Sequence, residues 1–138
     1  MSILEIGGLM LVLVVVVSAA RGKIRINRRE VEDLEARLQP QPGVEAALRA
    51  RGAAEREEWD DGEAEFEAFV SGLDLPDGSE VEFVVDEVVL GRVALERGRA
   101  RLEFDSRTGD DVPPILAHQC IEVRHGATVL MAGQFRHD

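Results

Sequence analysis

From Glu63 onward, apolar residues recur at every second position and short turn sequences punctuate them, which restricts that part of the chain to β-structure. Ala64, Phe66, Ala68 and Val70 point one way, with Glu63, Glu65 and Glu67 opposite. Leu73-Asp74-Leu75-Pro76-Asp77-Gly78 is turn chemistry, because Pro presets φ and Gly accepts a positive one. Val81, Phe83 and Val85 form the next inward row, Asp86-Glu87 turns into Val88 to Leu95, and Glu96-Arg97-Gly98 turns again into Ala100, Leu102 and Phe104. A longer loop, Asp105 to Pro114, precedes a last pair, Cys120 to Arg124 and Thr128 to Phe135, around His125-Gly126. Short strands on tight turns specify an antiparallel meander, so residues 63–138 are expected to form a small β-sandwich or open barrel. Phe83, Leu102, Ile121 and Phe135 should face the core, with Glu82, Arg101, Glu122 and Arg136 in solvent.

The other end of the chain is different. Ile3 to Ala20 is apolar except for Glu5 and is followed at once by Arg21, Lys23, Arg25, Arg28 and Arg29. Eighteen residues of helix rise about 27 Å, close to the roughly 30 Å hydrocarbon core of a bilayer. Residues 1–22 therefore read as a transmembrane anchor, and the cations after it place the remainder in the cytoplasm. The rival is export: Val17-Ser18-Ala19 offers a signal-peptidase site, although a signal peptide carries its positive charge before the apolar core.

Between these regions, residues 23–62 read as a basic, then acidic, helical linker. Val31, Leu34 and Leu38 follow helical spacing until Pro40 and Pro42, and Val44, Ala47, Leu48 and Ala54 make a weaker stripe. Eight acids against Arg56 alone between Glu55 and Glu67 read as solvated linker. The fold class is thus mainly β, behind a membrane helix and a short helical linker.

Charge excludes one class of partner. Residues 21–29 carry five cations and Glu5 one anion, so residues 30–138 hold 26 acids against 11 bases, a net of −15. A domain this acidic repels nucleic acid. The lone Cys120 excludes an intrachain disulfide framework.

The frame Val70-Ser71-Gly72-Leu73-Asp74-Leu75-Pro76-Asp77-Gly78, with Leu90-Gly91, Val112-Pro113 and Val129-Leu130-Met131-Ala132-Gly133-Gln134-Phe135, resembles a small bacterial β-module found in largely uncharacterised proteins. The resemblance implies a compact β-fold over roughly the C-terminal half and names no active site. Members are commonly exported, which sets that implication against the cytoplasmic orientation. The shared apolar-small-Gly step of Phe69 to Leu73 and Leu130 to Gln134 suggests that these strands pair and close the sheet.

No residue set carries recognisable chemistry. His118, Cys120 and Glu122 share one side of a strand, but a zinc centre would need His125, His137 or a distant carboxylate, and neither CxxC nor HExxH occurs. Ser71, Ser79 and Ser106 lie in turn contexts without a G-x-S-x-G elbow. Glycines form neither G-x-G-x-x-G nor a Walker A run. Trp59 reads as cover for the core edge. No catalytic, cofactor-binding or metal residues are assigned, and no cofactor is expected. The function expected is a membrane-anchored, non-enzymatic β-domain presenting a surface to a protein partner, with the membrane held through residues 3–20. The alternative is a small enzyme or ligand-binding module whose site is built from loops.

Overall fold

The computed structural model describes residues 28–138. The apolar span 3–20, the cleavage site at Val17-Ser18-Ala19 and the cations at 21, 23 and 25 lie outside the described residues. Among the described residues, no helix is long and apolar enough to cross a membrane.

Nine antiparallel strands form one sheet: β1 (Glu30–Pro40), β2 (Arg51–Trp59), β3 (Ala64–Ser71), β4 (Glu80–Val85), β5 (Val88–Ala94), β6 (Ala100–Asp105), β7 (Cys120–His125), β8 (Thr128–Gln134) and β9 (Arg136–His137). The order is β5-β4-β7-β8-β1-β2-β3-β6, with β9 continuing the path of β8 along β1. The sheet curls into a nearly closed barrel whose two unpaired edges are β5 and β6. We call β9, β1, β2, β3 and β6 the first wall, and β5, β4, β7 and β8 the second. Among the described residues, helix is limited to single 3-10 turns at Glu45–Ala47 and Ser106–Thr108.

The expectation of β-structure beyond Glu63 holds, but residues 28–62, the described part of the expected helical linker, are mainly strand. Glu30 to Trp59 supplies β1 and β2, the centre of the first wall, and the acidic run from Glu55 to Glu67 is strand, turn and strand. Leu34, Ala36 and Leu38 are buried in alternation, which the 3–4 spacing of Val31, Leu34 and Leu38 imitated. Strands β3 and β8 do not pair: β3 lies between β2 and β6, and β8 between β7 and β1.

The strand registers stack the inward side chains in rows. Leu34, Arg56, Phe66 and Phe104 form one, Ala36, Ala54, Ala68 and Leu102 the next, and Leu38, Gly52, Val70 and Ala100 the third. The alanine row leaves room for Phe135, fully buried beside it, with its ring centroid 6.5 Å from that of Phe66. Phe83, Ile121, Val123 and Met131 fill the barrel from the second wall. At Leu38, β1 is pinched between two glycines. A Cβ on Gly52 would stand 2.3 Å from the Phe69 carbonyl, and one on Gly133 would stand 2.4 Å from the Arg37 carbonyl, so no larger residue fits without moving backbone.

Arg56 is the exception among inward residues. It is buried, donates from Nε to the Pro113 carbonyl at 2.8 Å and from Nη1 to Glu58 at 2.9 Å. This ties the long connection before β7 across one end of the barrel, where Ile115 enters the core. A buried guanidinium is tolerated only when its donors are satisfied, and these bonds satisfy it.

Candidate interaction surface

The registers that bury the core also dictate what lies outside. On the outer face of the first wall, Asp33, Glu57, Glu65 and Asp105 stand in one cross-strand row, and the backbone of Asp138 extends it by bonding to Asp33. The neighbouring row is Arg136, Glu35, Glu55, Glu67 and Glu103. The next is Arg37, Ala53, Phe69 and Arg101, and beyond it Arg51 lies opposite Ser71. Nine carboxyl residues thus occupy two adjacent rows, and the rows beyond them contain arginine and no acid.

Among the described residues, arginines pair with the β3 and β6 side of the acidic rows. Arg101 pairs with Glu67 and Glu103, and Arg107 with Glu65 and Asp105. Among the described residues, no cation pairs with Asp33, Glu35, Glu55, Glu57 or Asp138. Carboxyl oxygens of Glu30, Asp33 and Glu57 lie within 4.8 Å of one another, as do those of Asp33, Glu55 and Asp138. Partial burial, hydrogen bonding to Asp33 and the charges of Glu57, Asp33 and Glu35 push Glu55 up to about 8. Burial, a hydrogen bond to Glu30 and the surrounding charges push Glu57 up to about 7. Asp33 is raised by burial and by Glu30 and Asp138, against the hydrogen bond from Glu55, which lowers it. Burial and like-charge crowding thus favour the protonated form of the Glu55 carboxyl.

At the other end of the face, Arg37 and Arg51 have no carboxylate at ion-pair distance among the described residues. Between them lies an open groove of about 570 Å³, bordered by Arg37, Gln39, Arg51 and Ser71, with Ala53 and the partly exposed ring of Phe69 forming its apolar part. The small side chain of Ala53 beside the neighbouring long ones accounts for the depression. Along the strands the outer face thus passes from two acidic rows to a mixed row of Arg37, Ala53, Phe69 and Arg101, and then to Arg51 and Ser71.

The acidic end is also where the chain enters. Arg28 pairs with Asp61 at 2.7 Å and lies 4.9 Å over the Trp59 ring, and Arg107 lies 5.8 Å from that ring. Trp59 is 5% exposed and has two guanidinium groups near its ring. The Asp61 carboxyl is held below its ordinary range by the Glu63 backbone N–H and by Arg28.

The residues weighed for metal chemistry lie elsewhere. Cys120 is exposed and its backbone N–H donates to Asp86, while Glu122 pairs with Arg124. His118 sits in a turn with φ of 76°, and the His125 ring lies 3.0 Å from the Glu80 carbonyl. Neither close carboxyl group includes His118, Cys120, His125 or His137. Ser106 accepts from the Ala64 backbone and holds the loop after β6 to the start of β3. Sequence reasoning missed this face, because its charges become neighbours only through pairing of β1, β2, β3 and β6. One signal was present: with β1 and β2 read as strands, the alternation Asp33, Glu35, Arg37 and Arg51, Ala53, Glu55, Glu57 already changes sign along each. Compared with known protein families, the chain matches none, and no curated protein matches it in sequence.

Proposed function

We propose that this chain is a membrane-tethered, non-enzymatic β-domain that uses the outer face of its first wall as a protein-interaction surface. The observation that carries this reading is a groove lined by Ala53, Phe69, Arg37 and Arg51 beside two rows of carboxyl groups, with Arg37, Arg51, Glu35 and Glu57 lacking ion-pair partners among the described residues. A merely solvated face intersperses its signs. Like charges directly opposite one another across strands cost stability, and a partner that supplies the opposite sign offsets that cost. The tether follows from Ile3 to Ala20 and the cations after it. Packed phenylalanine, leucine, isoleucine and methionine side chains fill the barrel interior, which directs recognition to the outside.

Two measurements test the reading. With the domain in the cytoplasm, a C-terminal fluorescent reporter is active and a C-terminal phosphatase silent; the reverse pattern contradicts that orientation, and a mature N-terminus at Ala20 contradicts the tether. A photo-crosslinking amino acid at Ala53 yields protein adducts in cells, whereas the same group at Arg92 on the second wall does not. Absence of adducts from Ala53 removes the interaction surface.

A further inference from the structure

We propose that the basic segment at residues 21–25 docks on the acidic end of this face, so that the domain holds the stretch of chain that leads into it. The inference does not depend on the partner reading, because the groove bordered by Arg37 and Arg51 stays open beyond the docked segment. Charge selects the occupant. Asp33, Glu35, Glu55, Glu57 and Asp138 have no paired cation among the described residues, and the Asp33 Oδ1 oxygen is closed to water with no hydrogen-bond partner there. Carboxylates crowded in adjacent rows repel one another, and opposite charge brought among them relieves that repulsion. Arg21, Lys23 and Arg25 supply three cations and no acid within five residues.

The entry point brings them near. Arg28 pairs with Asp61, the Arg29 backbone N–H donates to the Asp60 carboxyl, and the Asp60 N–H donates to the Arg29 carbonyl. These bonds to the turn between β2 and β3 fix where the segment joins the domain, at the end of the face that carries the acids. Counted back from Arg28, an extended chain reaches about 10 Å to Arg25, about 17 Å to Lys23 and about 23 Å to Arg21. Along β1 in the other direction, Asp33 and Glu35 stand about 17 and about 23 Å from Arg28. Turning back uses some of that reach, and the long stems of lysine and arginine restore it.

The pitch matches as well. The cations recur at every second residue, and so do the carboxyl rows along each strand. A segment laid back along β1 therefore sets Lys23 over the Asp33–Glu57 row and Arg21 over the Glu35–Glu55 row. The Arg37 row lies about 30 Å from Arg28, past the last cation, so docking stops short of the groove. Cleavage before Ala20 leaves Arg21, Lys23 and Arg25 in place, so the docking holds for the anchored and the cleaved chain alike.

Lys23 is the only lysine in the chain, which makes a test specific. The full-length chain in nonionic detergent is treated with a carbodiimide, which joins an amine to a carboxylate in contact with it, and the products are mapped by peptide mass spectrometry. Isotope-labelled and unlabelled chains are mixed beforehand, so coupling within one chain is told from coupling between chains. Lys23 is expected to couple within the chain to Asp33, Glu55 or Glu57, and not to Glu80, Glu82 or Glu122 on the second wall. Nearness in sequence alone gives some coupling, and a variant separates it from docking. Arg21→Gln with Arg25→Gln keeps Lys23 and its tether, yet lowers coupling to Glu55 and Glu57 by roughly threefold or more, the size expected for two exposed ion pairs. Salt at about 0.5 M lowers it likewise. Circular dichroism checks that the variant keeps its sheet. No coupling to Asp33, Glu55 or Glu57, coupling mainly between chains or to the second wall, or a yield that the double variant leaves unchanged overturns the proposal. Absence of Ala53 adducts in cells leaves the docking standing, and absence of the Lys23 coupling leaves the groove reading standing.

Discussion

The two walls of the barrel share one core and present different exteriors. Strands β1, β2, β3, β6 and β9 carry eleven acids against five arginines, a net of −6, whereas β4, β5, β7 and β8 carry three acids against two arginines, a net of −1. On the second wall the charges are locally matched, Glu82 with Arg92 and Glu122 with Arg124. The second wall shows that the architecture tolerates a nearly neutral exterior.

The largest expected effects test whether the two walls contribute equally to the shared core. Phe66→Ala in the first wall and Phe83→Ala in the second should each cost about 3 to 5 kcal/mol, because both rings are buried and leave cavities. Denaturant melts of the pair decide this, and a cost confined to one wall would show that the other packs loosely. Arg56→Ala comes next, at about 1.5 to 3 kcal/mol, since it strands the Pro113 carbonyl and the Glu58 carboxylate that the guanidinium now satisfies. It should also raise amide exchange in the connection between β6 and β7.

Smaller effects sharpen the difference between the exteriors. Glu55 titrates near 8 in the folded chain against an ordinary value of 4.5, and Glu57 near 7. Between those limits the folded state holds protons that the unfolded state has released, so stability is lost as pH rises from about 4.5 to 8. Melting temperature should fall across that window. Glu55→Gln should flatten the fall and, at pH 8, stabilise by about 0.2 to 1 kcal/mol through relief of like-charge crowding. Glu82→Gln on the second wall should act in the opposite direction by about 0.5 kcal/mol or less, since it removes only an exposed pair with Arg92. If both substitutions act alike, the walls do not differ electrostatically.

Legibility followed side-chain size. Beyond Glu63 the inward positions are large and apolar, as in Phe66, Val70, Val81, Phe83 and Ile121, so their period of two was plain in the sequence. In β2 the inward positions are Gly52, Ala54 and Arg56, which carry no hydrophobic signal, and β1 offered Val31, Leu34 and Leu38 at a misleading spacing. Those small residues are there because β1 and β2 lie where Phe135 and Leu38 need space, a requirement set by chain far away in sequence.

What the sequence determined by itself was local: alternation, and turn chemistry at Asp86-Glu87 and Arg97-Gly98. Asp86, Glu87, Arg97 and Gly98 all adopt the positive φ that tight hairpins demand. What only the tertiary structure decided was which charges become neighbours. Asp33, Glu57, Glu65 and Asp105 span more than seventy residues of chain, and only strand register, imposed by burial of the opposite face, sets them side by side.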